Sequence, residues 1–429
     1  MYNYSKLAYQ LKRSICSFCE RLSKGLPVPV KKFITCIIYG ILASNTVCLA
    51  EISRKLQENI LLKKTIERLS RNLQKFSRPD VLYKNLSYEV KRYIYSDTPI
   101  IIDLSDLVKK YGVVFENMGR VRDGSTREID VDGYFLIEAQ VVNYTDKLPV
   151  PVYTDVFSQY TQDFKSENDE VLKCIDSLKS LYGTRGIYTM DRGMDNVLYF
   201  NYLDDASLKF SIRLKKNRNV LVKGNEINIT KLVAKYKGKY SAIVRKMNGK
   251  SRRIRYGFIP VVLPEIPGKT FNLVFVRGYT RNTFYLLTNM NIEDGKDCLK
   301  VIAAYISRWK VEEFIRFKKT QFAFEDIRVQ TFNRIKNMNL LLTLAVSYIA
   351  LSSKSPANLR MIYTLENISK RIYEIPDFIY YSVSDGVRIV LSKTNTGIKE
   401  FLISTEKPLS QQLTLFNLPC CKGLALSYG

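Results

Sequence analysis

Asp103, Asp191 and Glu312 lie far apart in the chain, in settings that point to chemistry rather than to a solvated surface. Asp103 follows Ile100-Ile101-Ile102, so a charged group ends a run that reads as a strand buried on both faces. Asp191 repeats the arrangement after Ile187-Tyr188-Thr189-Met190 and is followed by Arg192-Gly193, where the glycine lets the chain turn sharply. A carboxylate withdrawn from water needs a cation or a metal beside it. Two strand-end aspartates at one sheet edge could hold Mg²⁺ through oxygen ligands. Taken singly, each also reads as a salt-bridged or turn-capping aspartate.

The third acid stands in the spacing Tyr305-x-x-Arg308-x-x-x-Glu312-x-x-x-x-x-x-Lys319. At about 100° per helical residue, Arg308, Glu312 and Lys319 fall at roughly 300°, 340° and 320° from Tyr305, on one face, whereas Glu313 falls at about 80°. That face sets one metal-capable carboxylate between two cations, a layout suited to a metal-bound phosphodiester. A solvated helix face with ion pairs one turn apart is the bland alternative. Asp106 competes with Asp103 for the first acidic position. Asp103 is preferred because it directly follows the apolar run.

Composition narrows the chemistry further. The 429 residues include 67 Lys and Arg, 41 Asp and Glu and no histidine, for a net charge of +26. Mechanisms that need imidazole are excluded, among them Ser-His-Asp triads, His-paired cysteines and His-ligated metal nucleases. What remains is carboxylate, hydroxyl, thiol and cation chemistry. The positive excess points to a polyanionic partner, because each cation set against a phosphate releases a condensed counterion. Eight cysteines without a signal-peptide pattern read as reduced cytosolic thiols. Cys16-x-x-Cys19 has the spacing of half a zinc site, but the sequence offers no second half and no histidine to complete it. The uncharged stretch from Phe33 to Ala50 is interrupted by polar residues and reads as a buried helix pair, not a membrane span.

The elements that must position these groups follow from the periodicities. Residues 1–85 read as a small helical DNA-binding domain; over residues 1–80, 15 Lys and Arg face 5 Asp and Glu. Within it, Leu49 to Leu56 and Leu62 to Leu73 form two short helices with a break at 57–59, a helix-turn-helix pattern in which Lys63, Lys64, Arg68, Arg71 and Lys75 would meet phosphates or groove edges. An exposed basic helix face fits the same residues. Strand patterns separated by a helical one over 168–182 make residues 95–205 the first part of an α/β core. Residues 206–290 carry 19 Lys and Arg against only Glu226 and Glu265, in strand-like runs that read as a basic β-rich insertion. Lys215, Lys216, Arg218, Arg245, Lys246, Arg252, Arg253 and Arg255 would there track a DNA backbone. One long helix over 295–319 and another over 335–351 complete the core within 291–355, and 356–429 remain as a C-terminal region assigned to dimerisation.

Together, Asp103, Asp191-Arg192-Gly193 and the Tyr305-Arg308-Glu312-Lys319 signature resemble the DDE transposases of bacterial insertion sequences, specifically the insertion-sequence-four family. The resemblance spans roughly residues 40–350, including the basic helix at Leu62 to Leu73. It implies a ribonuclease-H-like catalytic core interrupted by a β-strand insertion. It implies two Mg²⁺ ions, for which Mn²⁺ can substitute, held by Asp103, Asp191 and Glu312, with Tyr305, Arg308 and Lys319 on phosphates beside the scissile bond. Where such enzymes commonly place an aromatic residue three positions after the glycine, this chain has Asn196, with Tyr199 the nearest aromatic.

The expected activity is cut-and-paste transposition. Water attack frees a 3′-hydroxyl at the element end, and the same centre directs that hydroxyl at target DNA. The expected partners are double-stranded DNA, both terminal inverted repeats and target, and a second copy in a synaptic dimer. The expected location is the cytoplasm, on the nucleoid. Some relatives extrude a base near the cut onto an aromatic of the insertion, a role open to Tyr236, Tyr240, Tyr256 or Phe258. A nuclease of the same fold that cuts without joining, and an inactive repressor that only binds element ends, are the alternatives.

Overall fold

The computed structural model describes residues 2–109, 114–124, 126, 128–144, 148–245, 251–371 and 376–404. Among these, five helices come first: α1 (Tyr4–Leu22), α2 (Val28–Ser44), α3 (Leu49–Leu56), α4 (Leu62–Lys75) and α5 (Pro79–Val90). The Asn3 side chain caps α1 by accepting from the Lys6 N–H. Pro27 and Pro29 start α2, and Asn45 ends it in the left-handed region. That turn makes the axes of α2 and α3 diverge by 100°, so the uncharged stretch folds into a bent pair. A Cβ at Gly40 would collide with Ile52, so this glycine sets how closely α3 approaches α2.

The sheet is built from β1 (Pro99–Val108), β2 (Gly119–Val121), β3 (Val131–Val142), β4 (Pro149–Phe157), β5 (Ile187–Met190) and β6 (Lys209–Arg213). Helix α6 (Glu167–Tyr182) links β4 to β5, and α7 (Val197–Asp205) links β5 to β6. β1, β3 and β4 form an antiparallel meander, while β5 runs parallel to β1 and β6 parallel to β5. Both faces of β1 and β5 are covered, which explains their unbroken apolar runs.

The remaining described strands are β7 (Asn219–Val222), β8 (Asn225–Asn228), β9 (Tyr240–Arg245), β10 (Ser251–Leu263), β11 (Ile266–Arg277) and β12 (Phe284–Thr288), with the short helix α8 (Ile229–Ala234) between β8 and β9. These strands do not make a separate layer. β12 pairs with β6, β11 with β12 and β10 with β11, so the basic segment prolongs the same sheet. β6, which falls at the start of the basic segment, pairs in parallel with β5 and so belongs to the core sheet.

Six described helices follow β12: α9 (Gly295–Ser307), α10 (Trp309–Gln321), α11 (Phe332–Lys354), α12 (Leu359–Ser369), α13 (Tyr380–Ser392) and α14 (Lys399–Ser404). The single helix expected over 295–319 is broken at Arg308 into α9 and α10. Among the described residues, α11 is the one helix long and apolar enough to cross a membrane, yet 94% of its apolar window is buried inside the protein. It is the central post of the fold. α1 to α5, the sheet and α11 share one hydrophobic core. Asn337 on α11 donates to the Leu73 and Phe76 carbonyls, satisfying groups that the end of α4 leaves open. Lys12 on α1 donates to the Thr396 carbonyl at 2.5 Å, tying the C-terminal helices to the first.

Candidate active site

The two aspartates come from adjacent parallel strands. The last paired positions are Ile101 on β1 and Thr189 on β5, and Asp103 and Asp191 each lie two residues further on. Asp103 does not end its strand, as the sequence suggested: β1 runs on to Val108, because its other edge stays paired with β3 through Val108↔Gly133. Only the parallel pairing stops, and Asp103 stands where β5 leaves the sheet. Asp191 opens the turn that leads into α7. Asn196, in the expected aromatic position, caps α7 by accepting from the Leu198 N–H, and Tyr199 is buried with its hydroxyl on Asn168 at 2.7 Å.

Glu312 arrives from the other side of the helix break, in the first turn of α10. The residue that joins all three acids is Arg308. Its Nη2 donates to Glu312 Oε1 at 2.7 Å, its Nη1 lies 3.5 Å from Asp103 Oδ2 and its Nε lies 3.8 Å from Asp191 Oδ1. The Arg308 side chain is 7% exposed, against 19% for Asp103, 38% for Asp191 and 48% for Glu312. Three carboxylates thus converge on one cationic group at the rim of the sheet. Tyr305, in the last turn of α9, donates its hydroxyl to Asp191 Oδ1 at 3.1 Å and accepts from Arg213 Nη1 at 3.1 Å.

The two aspartates differ in their protonation. Burial pushes the Asp103 carboxyl up to about 7; Arg308 opposes the shift, and the neighbouring Asp191 and Glu312 charges reinforce it. Burial also acts against ionisation of Asp191, but Arg308, the Arg192 N–H, the Tyr305 hydroxyl and Arg213 outweigh it and hold this carboxyl below its ordinary value. One acid is held as a carboxylate beside another that exchanges its proton near neutrality.

The donor types suit a hard divalent cation, since all are carboxylate oxygens and all face one centre of positive charge. Among the described residues, however, no three acidic side chains stand close enough to share an ion. In this arrangement the three acids form an ion-paired cluster with Arg308 as its shared cation.

The fourth residue of the helical spacing sits elsewhere. Lys319 Nζ pairs with Asp106 Oδ2 at 2.9 Å and with Glu325 Oε1 at 3.1 Å, outside the Arg308 cluster. This separates Asp106 from Asp103: Asp106 also accepts from the Gly124 N–H at 3.2 Å, so it is fully engaged in structural contacts. Lys319 lies fourteen residues beyond Tyr305, about 21 Å along a helix, so Tyr305 reaches Asp191 while Lys319 reaches Asp106 on β1.

The basic residues divide in the same way. Lys215, Lys216, Arg252, Arg253 and Arg255 are exposed. Arg218 is not available to a partner: its guanidinium is 14% exposed and grips the fully buried Asp195 at 2.6 Å. Arg245 is the last residue of β9, and Lys246 lies outside the described residues. On α4, Lys63, Lys64 and Arg71 are exposed, while Arg68 makes a 2.6 Å pair with Glu58 in the turn before the helix. Tyr236 and Tyr240 line a cleft of about 440 Å³ with Lys235, Lys237, Phe258 and Phe275. The lone tryptophan, Trp309, stacks on Tyr279 at 5.3 Å.

Sequence reasoning missed two features. Arg213, at the end of β6, reaches the Tyr305 hydroxyl, and nothing in its local pattern separated it from the other basic residues. Glu138 and Lys318 form a buried pair between β3 and α10; the lone charge within the apolar run of β3 was the available signal.

The family model described as Transposase DDE domain matches residues 150–348, a range that includes Asp191, Tyr305, Arg308, Glu312 and Lys319 and starts after Asp103. This match supports a DDE transposase. Among solved structures, the chain is similar to the cryo-EM structure of a piggyBac transposase synaptic complex with hairpin DNA, at 10% identity and a TM-score of 0.45, covering 100% of this chain and 87% of that one. No curated protein matches the chain.

Proposed function

We propose that this protein is a DNA transposase of the insertion-sequence-four kind, which cleaves the ends of its element and joins the freed 3′-hydroxyls to target DNA. The observation that carries this reading is the convergence of Asp103, Asp191 and Glu312, from three separate elements, on a single cationic centre. The antiparallel meander flanked by two parallel strands, with the aspartates on β1 and after β5, supports a ribonuclease-H-like core.

Asp103, Asp191 and Glu312 would hold Mg²⁺, or Mn²⁺ in its place. When bound, such ions lower the pKa of the attacking oxygen and neutralise charge on the departing one. The chain's own residues do the rest. Tyr305 fixes the Asp191 carboxylate, and Arg213 in turn fixes Tyr305. Arg308 supplies a planar fork suited to a phosphate next to the scissile bond, and Lys319, paired with Asp106 and Glu325, would add a point charge further along α10. Lys215, Lys216, Arg252, Arg253 and Arg255 follow the DNA backbone along the prolonged sheet, and Arg245 and Lys246 are assigned to the same backbone by the sequence alone. Lys63, Lys64 and Arg71 present α4 to the element end. No imidazole is needed, in keeping with a chain that has none. The working unit is a homodimer on paired element ends, located in the cytoplasm on the nucleoid.

The test is incubation with labelled element ends, Mg²⁺ and a target plasmid. Joined product supports transposition, cleavage without joining supports a nuclease, and bound but uncut DNA supports a repressor.

A further inference from the structure

We infer that the β9–β10 ribbon enters the major groove of bound DNA and reads it there, with Ile243 against a thymine methyl group while Arg253 and Arg255 hold phosphates at the groove walls. This deepens the proposed function, and it rests on the protein's binding duplex DNA as that reading requires.

The ribbon has two unlike faces. β9 and β10 pair antiparallel, with Tyr240 opposite Tyr256, Ser241 opposite Arg255 and Ile243 opposite Arg253. Successive side chains of a strand point to opposite faces, and directly opposed residues share one. On the inner face Ile254 and Tyr256 are buried with Val301, Ile302 and Tyr305 of α9, and Ala242 and Val244 pack against them. The Tyr256 hydroxyl also donates to the Gly295 carbonyl at 3.2 Å, which fixes the ribbon on the start of α9. On the outer face Ser241, Ile243, Arg253 and Arg255 are all exposed, Ile243 by 69%. Folding leaves this isoleucine in water, so the gain from burying it remains available to a partner.

Strand register places the ribbon at the edge of the sheet that carries the acids. Met190, just before Asp191, pairs with Ile212, and the next residue of β6, Arg213, is level with Leu286, Val274 and Phe258 across β12, β11 and β10. Arg253 stands five residues beyond Phe258 on that same edge, about 17 Å further out. The pairing of β10 with β11 stops at Arg255 and Arg277, so residues 251–254 are held in the sheet by β9 alone. A duplex lying along the acidic edge therefore meets a projecting two-stranded ribbon. Its charge selects the occupant. Between Glu226 and Glu265 the chain has ten Lys and Arg and no acid, which attracts a polyanion and repels a second copy of the same ribbon. The major groove is about 12 Å wide and admits a two-stranded ribbon, and thymine presents its methyl group there.

The test uses the full chain and element-end duplexes containing either thymine or deoxyuridine, which differ only in the 5-methyl group and carry equal charge. The wild type should bind the thymine duplex about 4-fold more tightly, the effect of burying one methyl-sized group. Ile243→Ala should bind both duplexes alike while keeping the wild-type salt slope, because no phosphate contact is removed. Equal binding of the two duplexes by the wild type, or discrimination retained by Ile243→Ala, overturns the inference. Failure to bind either duplex overturns it together with the DNA-binding reading. Discrimination without any joined product would count against transposition alone, and joined product without discrimination against the ribbon alone.

Discussion

Lys318 and Glu138 form an ion pair in the interior, 1% and 0% exposed, that pins α10 to β3 one strand away from the acidic site. Glu138 sits opposite Asp103 in the β1–β3 register, so the pair fixes the helix that carries Glu312 against the strand that carries Asp103. Asn339 and Thr343 on α11 accept further bonds from the same ammonium, at 2.8 and 2.7 Å. Burying two charges is costly in itself, and the surrounding hydrogen bonds are what make the arrangement tenable. Truncating one partner strands the other. Lys318→Met should therefore destabilise the protein by roughly 3–5 kcal/mol, with part of the loss recovered in the double variant Lys318→Met with Glu138→Gln. Urea denaturation followed by circular dichroism checks both; a Lys318→Met protein as stable as the wild type would refute the assignment.

Asp191→Ala removes the carboxylate that Tyr305 and Arg308 orient, and leaves the exposed basic residues of β10 and α4 in place. Cleavage of labelled ends should fall to the level of a protein-free control while gel-shift affinity is retained. Persistent cleavage would show that the chemistry is elsewhere.

Arg253 and Arg255 are exposed on β10 and alternate with the buried Ile254 and Tyr256, so both project from the same face of the sheet. An arginine that neutralises one phosphate steepens the dependence of log affinity on log salt by about 0.9, and its replacement by alanine should flatten the slope by that amount. Binding isotherms at several salt concentrations for Arg253→Ala and for the double variant with Arg255→Ala measure this directly. Unchanged slopes would take these residues out of the DNA path.

Arg218 makes the opposite prediction, although it lies in the same basic segment. Its partner Asp195 is fully buried and also accepts from the Lys215 N–H at 2.6 Å. Arg218→Ala should lower the melting temperature, by the roughly 3–5 kcal/mol that breaking a buried pair costs, and leave the salt slope of DNA binding unchanged. A normal melting temperature with a flatter slope would reverse the assignment.

Cys298 reports on the packing of α9 against β10 to β12. Burial, with a smaller push from Asp297, raises its thiol from 9.0 to about 12. The folded state thus holds this proton more tightly than the unfolded chain, and between pH 9 and 12 the linked stability falls as pH rises. At pH of about 8, below the ordinary thiol range, a thiol reagent should modify Cys298 only on unfolding, as peptide mass spectrometry with and without urea would reveal. Rapid modification in native buffer would mean that α9 is loosely seated.

Much of this was legible in the residues themselves. The break at 57–59 and the flanking periodicities define α3 and α4, and the apolar runs before Asp103 and Asp191 define β1 and β5, because helix and strand impose local repeats that a single segment reveals. Charge imbalance located the exposed cations, and the 305–319 spacing picked out Tyr305 and Arg308, which reach the aspartates, and Glu312, which pairs with Arg308. What local pattern could not supply was partnership. Whether an arginine meets solvent or a buried aspartate, as Arg253 and Arg218 differ, depends on distant stretches of chain. The same holds for the helix break at Arg308, for Lys319 turning to Asp106, and for the guanidinium lodged among three carboxylates. Desolvation and pairing energies arise only when distant segments close on one another, so the tertiary structure alone decided which charges face water, which face each other, and which cation guards the acids.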